Sequence, residues 1–396
     1  MSNLFRFLLR TKLIQLSLLG LGLVLLGFQL YSLVDSGILN QDDFVEYWAA
    51  GRLNLSGENP YDPQGLFTLQ VEIWPDRKEP LMMWNPPWTL ALVMPFGAIK
   101  YSTARILWLV FSFSLLLFCS DYFWRVFGGF PNQKWVAIMV SILFLPTIYT
   151  IMLGQISFLL VLSLSAFLYF HRVGKMFLAG AASSLLTVKP HLIYLFFIAL
   201  IFWSIQKKQW AVIGGFVSAI LSTCILVLAI NPQIFHQYIY SAMNFRPTIW
   251  MTPTLGSLLR EIIGSQKSWL LYLPNLIGFI WFIFYWKNNT QTWNWNQQIP
   301  VLIIASMVST SFAWSWDRIV FIILIIEVAS IFLRSTDSKN KYLILIAHII
   351  IQVFGMMIYL WGFSDFWTWW MTPSFAGLYL YARNNLRSER GFTLPA

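Results

Sequence analysis

The chain has 396 residues, of which 58% are hydrophobic and only 11% charged, and its mean hydropathy is +0.65. A soluble domain would carry roughly 25% charged residues, so this composition excludes a water-soluble globular protein and points to an integral membrane protein with many spans. The net charge of +10 does not imply nucleic acid, because cationic cytoplasmic loops produce the same excess and no basic stripe with interleaved polar helices is present.

At the N-terminus, Arg6, Arg10 and Lys12 precede an apolar run from Leu13 to Leu30. That run exceeds the roughly 7–15 residues of a signal-peptide core and no small-x-small cleavage site follows, so it reads as a first transmembrane helix with its basic end inside. Apolar segments then recur at about 13–35, 102–120, 135–151, 155–171, 176–189, 191–205, 210–230, 269–286, 299–313, 316–333, 342–361 and 366–382. A further run, Pro86 to Ile99, is short enough to be re-entrant or interfacial. Cationic signals at Arg6/Arg10/Lys12, Lys207-Lys208, Arg334 to Lys341 and Arg383/Arg387/Arg390 fall on one side only if that run does not cross. The expected architecture is therefore all-α and polytopic, a single transmembrane domain over 1–396 with about twelve spans (11–13) and both termini cytoplasmic. The outer face receives a first large loop (36–101), a second (231–268), the turn Leu153-Gly154-Gln155, the junction Thr187 to Pro190 and the corner Trp314 to Arg318.

The first loop stands out chemically. Nine of the sixteen acidic residues lie between Asp35 and Glu79 in a chain otherwise nearly free of acids. Asp43, Glu46, Tyr47 and Ala50 are spaced to share one face of a short helix, and Phe44, Trp48 and Leu55 offer an apolar side for the membrane interface. Gly57 ends the helix, and Asn59-Pro60 turns the chain into a second one. Two readings of Asp43 stand side by side: a catalytic base near the membrane surface, or the N-cap of a capping box in which Glu46 reaches back. Asp42 reads as a solvated neighbour adding charge at the helix start.

Lys189, between two apolar runs and before Pro190, is either a snorkelling lysine or a site for an anionic lipid phosphate. Arg246 and Arg260 are cations of the second loop, suited to headgroups in general. Asp317-Arg318 sits at the edge of a span, either as an interfacial anchor or as functional intramembrane charge. Cys119 and Cys224 lie in apolar runs, the four histidines are scattered, and no P-loop, HExxH or Ser/His/Asp order appears, so neither a metal nor a cofactor is expected.

In their order along the chain, these fragments resemble glycosyltransferase family 87, polytopic enzymes of the GT-C class. Asp43-Phe44-x-x-Tyr47-Trp48-Ala49-Ala50 and Gly57-Glu58-Asn59-Pro60-Tyr61-Asp62 look like the family's first-loop signature. Asn85-Pro86-Pro87 is similar to its Tyr-Pro-Pro step. Gly154-Gln155, Ala179-Gly180 and Lys189-Pro190 resemble its middle motifs, and Trp316-Asp317-Arg318 its late Trp-Asp-His, with Arg318 where the family often has His.

The resemblance implies a GT-C-type fold and inverting transfer of a mannose-like sugar from a polyprenyl-phosphate donor to a glycolipid or glycan acceptor at the outer face. It places the catalytic base at Asp43. Lys189, Arg246 and Arg318 are then expected at the donor phosphate, and Glu46, Tyr47, Trp48, Tyr61, Asp62, Gln155, Trp316 and Asp317 in the substrate pocket. The competing expectation is a lipid or solute transporter, whose site would sit at the bilayer midplane on broken helices. A polymerase or ligase using pyrophosphate-linked donors is a third.

Overall fold

A computed structural model describes residues 42–245 and 250–387, and among them every regular element is helical. The span expected at 13–35 and Arg246 lie outside the described residues.

The first loop folds into α1 (Phe44–Leu55) and α2 (Pro63–Ile73), and α3 (Leu90–Gly97) follows. Gly57 takes a left-handed φ of 74° just past α1, the conformation a residue with a Cβ resists. Asp62 caps α2 by accepting a hydrogen bond from the Gly65 N–H at 2.7 Å, with Pro63 at the first helical position. α3 has eight residues, about 12 Å of helix, and cannot cross a hydrocarbon core of about 30 Å. It lies backbone to backbone against α1: a Cβ on Gly97 would fall 2.4 Å from the Arg52 nitrogen.

The apolar side expected to lie in the interface is instead interior. Phe44 packs on Phe96, Tyr101 and Trp108 with ring centroids 6.0, 6.1 and 5.3 Å away. Trp48 is buried against Tyr101 and donates its indole N–H to the Ile99 carbonyl at 2.9 Å. Of the three residues assigned to that side, only Leu55 is exposed. The cause is that α3 and the start of α4 (Tyr101–Val126) cover it.

Among the described residues, four helical stretches are long and apolar enough to cross a membrane: α4, α10 (Trp210–Ile230), Ser268–Thr292 around α13 (Leu273–Asn289), and Lys339–Leu360 within α16 (Ser338–Leu360). A fifth arises if α5 (Lys134–Ile142) and α6 (Leu145–Leu153), bent by 64° at their junction, make one broken span. The other apolar segments form shorter helices: α7 (Phe158–Arg172), α8 (Met176–Ser183), α9 (Tyr194–Gln206), α14 (Trp295–Ser309), α15 (Ile322–Arg334) and α17 (Met371–Arg387). The second loop carries α11 (Ile234–Asn244) and α12 (Leu255–Ile263).

Small residues bring backbones together where the sequence has Ala179-Gly180. A Cβ on Gly180 would lie 1.9 Å from the Val212 carbonyl oxygen, and one on Gly215 would lie 1.8 Å from that of Phe177. α8 and α10 therefore pack closely, as small residues allow in membrane helices. Beyond α8 the helix tightens into a 3₁₀ turn, breaks at Lys189 and resumes as another 3₁₀ turn at Pro190. Proline lacks the N–H that would continue the ladder. The break leaves the Val188 carbonyl to accept from Asn85 Nδ2 at 2.8 Å.

Candidate active site

The start of α1, the stretch 80–86, the turn after α6, the break at Lys189 and the corner 312–317 converge on one cavity of about 540 Å³, and Tyr238 and Trp250 of the second loop complete its wall. One side is aromatic. Trp314 and Trp316 stack with centroids 5.3 Å apart and planes 10° from parallel; Trp250 packs on Trp314 at 5.7 Å and Trp84 on Trp250 at 6.0 Å. The buried indole nitrogens of Trp84 and Trp316 have no protein hydrogen-bond partner. The opposite side carries charge.

Gln155 is the hub of that charged side. Its Oε1 accepts from Tyr47 O–H at 3.0 Å and from Lys189 Nζ at 2.9 Å, which turns its Nε2 toward Asp43 Oδ2 at 2.5 Å. Two donors on one amide oxygen leave the flipped orientation with donor facing donor, so the network itself fixes the amide. Lys189 gives its remaining donors to Ser157 Oγ at 3.0 Å and Asp317 Oδ1 at 2.7 Å. Asp317 is buried and also accepts from Ser157 Oγ at 2.8 Å and the Trp314 N–H at 2.9 Å. All three ammonium hydrogens are thus engaged.

The capping reading of Asp43 is not realised. Its side chain makes no bond to the helix start; Asp42 Oδ1 does, accepting from the Phe44 N–H at 2.6 Å. Asp42 is also not solvated: it is buried, ion-paired with Arg105, and accepts from Tyr101 O–H at 2.8 Å. The local pattern could not show this, because both partners arrive from α4.

Burial pushes the Asp43 carboxyl up to about 6, and the neighbouring Asp42 charge adds to the rise; the Gln155 hydrogen bond and the Lys189 and Arg77 charges oppose it. Burial, then the charge of Asp43, raises Glu46 well above the carboxylate range. The two carboxyls are thereby set apart: Asp43 is the one held nearer to ionisation and able to accept a proton, and Glu46 is the one that burial and its neighbour's charge push toward the protonated form.

The family model for glycosyltransferase family 87 matches residues 84–359, well over half of the chain. The chain belongs to glycosyltransferase family 87. No curated protein and no solved structure gives a significant match. The family match takes in Asn85-Pro86-Pro87, Gly154-Gln155, Lys189-Pro190 and Trp316-Asp317-Arg318, and begins beyond Asp43. What joins Asp43 to these family segments is spatial: its bond to Gln155.

Of the residues expected at the glycosyltransferase's site, Asp43, Glu46, Tyr47, Gln155, Lys189, Trp316 and Asp317 share the cavity. Four others do not. Trp48 faces a separate hollow with Arg52, Trp74 and Tyr101. Tyr61 is buried, donating its O–H to the Asn85 carbonyl at 3.1 Å, and Asp62 is the cap of α2. Arg318, expected at the donor phosphate, points away from the cavity. Its Nε donates to Thr372 Oγ1 at 2.8 Å, Nη1 to Ser315 Oγ at 3.0 Å and Nη2 to the Thr368 carbonyl at 2.8 Å. It fastens the 3₁₀ segment Ser315–Phe321 to the start of α17, so an arginine in place of the family's histidine builds a structural anchor. Trp84, Trp250, Trp314 and Ser157 are cavity or network residues that sequence reasoning missed. No local signal marks the first three, because they come from three separate segments of the chain.

Proposed function

We propose that this family 87 member transfers a mannose-like sugar from a polyprenyl-phosphate donor to a hydroxyl of a glycolipid or glycan acceptor at the outer membrane face, with inversion. On this reading the chain is of GT-C type, with about twelve spans and cytoplasmic termini. The observation that carries it is the Asp43–Gln155–Lys189–Asp317 network on one wall of a cavity whose other wall is aromatic. Indole faces suit a pyranose ring, and the unpartnered Trp84 and Trp316 N–H groups suit its hydroxyls.

The acceptor hydroxyl attacks the anomeric carbon. As that C–O bond forms, the bond from the anomeric carbon to the phosphate oxygen breaks, Asp43 takes the hydroxyl proton, and polyprenyl phosphate leaves with the electron pair. Gln155 holds one Asp43 oxygen and leaves the other for the acceptor. Lys189 supplies fixed positive charge on the leaving-group side, exchanging its bond to Gln155 or Ser157 for a phosphate oxygen. Glu46, on the same wall as Asp43, hydrogen-bonds a sugar hydroxyl.

The test is transfer by protein in lipid from a panel of radiolabelled polyprenyl-phosphate sugars to a membrane-lipid extract, comparing wild type with Asp43→Asn. Transfer by the wild type and an approximately 10³-fold loss in the folded variant is the expected result. Equal activity would dismiss Asp43 as base. Consumption of no donor by either protein would turn the assignment toward the transporter.

A further inference from the structure

Four successive carbonyls at the end of α6 are each taken by a donor from the first loop or from α4. Arg105 Nη2 donates to Ile151 at 3.1 Å and Met152 at 2.8 Å, the Asp43 backbone N–H donates to Leu153 at 2.9 Å, and Trp108 Nε1 donates to Gly154 at 2.8 Å. The last carbonyls of a helix have no partner within it, so this turn is open to such capture. It immediately precedes Gln155, the hub of the cavity network.

Asp42 ties the other end. Its Oδ1 accepts from the Phe44 N–H at 2.6 Å, while Oδ2 accepts from Tyr101 O–H at 2.8 Å and from Arg105 Nε in an ion pair. Asp42 and Arg105 are both essentially inaccessible to solvent. The result is a bracket: Asp42 grips the start of α1 and Arg105, and Arg105 grips the end of α6. Gly154 closes the fit. Its φ of +66° and its surroundings leave no room for a Cβ, which would meet the Phe44 Cβ at 2.6 Å and Asp42 Oδ1 at 3.0 Å.

We propose that Asp42, with Arg105 and Tyr101, is a positioning residue that holds the Asp43 carboxylate in register with Gln155 for proton transfer. The inference rests on the transferase reading and goes beyond it. Of two adjacent aspartates, one faces the cavity and reacts; the other is closed off by three donors and sets its neighbour's place. A carboxylate is needed, because three donors converge on two acceptor oxygens. An amide offers one such oxygen and turns its own N–H groups against the remaining donors.

The test is a double-mutant cycle with Asp42→Asn and Asp43→Asn in reconstituted bilayers. Asp42→Asn should lower kcat about 10²-fold with Asp43 present, as a displacement of about 1 Å can, while the KM values for donor and acceptor stay within about twofold. On the Asp43→Asn background the same change should cost less than about threefold, because the group it positions is gone. A purely structural role predicts equal losses on both backgrounds, and that result, or no loss at all, overturns the proposal. Tyr101→Phe removes one bond to Asp42 and should give an approximately threefold to tenfold fall with the same non-additivity, which keeps the test valid if Asp42→Asn folds poorly. Hydrogen exchange reads the bracket without any substrate. In Asp42→Asn, peptides covering 43–47 and 151–157 should exchange about tenfold faster while 63–73 is unchanged. Unchanged protection at 43–47 would refute the bracket even where wild type transfers nothing, an outcome that by itself bears only on the transferase reading.

Discussion

Asp317 and Arg318 are neighbours, both buried and both held by several hydrogen bonds, yet they belong to different regions of the molecule. Asp317 turns toward Lys189 and Ser157 on the wall of the cavity. Arg318 turns toward Thr368 and Thr372 and packs into a closed cluster, where Ser315 also donates its backbone N–H to Asp365 at 3.0 Å. Buried charge therefore does not mark a site by itself. The Asp317 region differs because its network includes Asp43 and Gln155, which border space a substrate can enter; Arg318 does not line that cavity.

Four substitutions and one thermal comparison bear on that contrast. The largest effect is expected from Lys189→Met, which leaves Asp317 buried without its cation. Removing one partner of a buried pair costs about 3–5 kcal/mol, and transfer per folded molecule should fall at least about 10²-fold. Adding Asp317→Leu should restore most of the stability, read by thermal denaturation in detergent, and none of the transfer. Arg318→Met should cost comparable stability but leave transfer per folded molecule within about twofold. A selective loss of transfer in that variant would move Arg318 into the site and dissolve the contrast.

Gln155→Leu removes the donor that lowers Asp43. Transfer by the wild type should rise with pH through about 6 as Asp43 ionises and then level off. The variant's rise should move to higher pH, with a rate deficit of about tenfold at pH 6.5 that narrows toward pH 8.5. An unmoved acid limb would detach Gln155 from the base.

The smallest effect is thermal. Asp43 titrates near its ordinary value of 3.8 when unfolded and near 6 when folded. Below about pH 4 both states hold the proton. Between about 4 and 6 only the folded state does, so stability falls as pH rises, and the deficit persists above 6. Asp43→Asn should therefore melt higher than wild type at pH 7.5, by the equivalent of roughly 1–3 kcal/mol, and equal to it near pH 4. A variant that melts lower at pH 7.5 would show that the carboxylate stabilises the fold.

Several features were legible because they depend on residues close in sequence. The membrane class follows from composition, and the exit of α1 follows from Gly57, the only residue type that takes its left-handed turn at no cost. The break at Lys189 follows from the missing N–H of Pro190, and the second helix follows the turn at Asn59-Pro60, although its cap, Asp62, was expected in the substrate pocket. The family resemblance, carried by ordered fragments, agrees with the family match over 84–359. The separate roles of Asp42 and Asp43 were not legible. A local pattern assigns capping to Asp43 and solvent to Asp42, while the partners that reverse this, Tyr101, Arg105 and Gln155, lie 59, 63 and 112 residues away. The fates of Trp48, Tyr61 and Arg318 were likewise decided by what packs over them.

Composition and short-range chemistry thus determined that the chain is a helical membrane protein, and where several of its helices stop, because hydropathy and backbone conformation are properties of neighbouring residues. Which carboxylate borders the cavity, which is clamped and which arginine is an anchor were decided by tertiary structure. A buried charge takes its role from the donors around it, and here those donors come from helices that sequence distance separates.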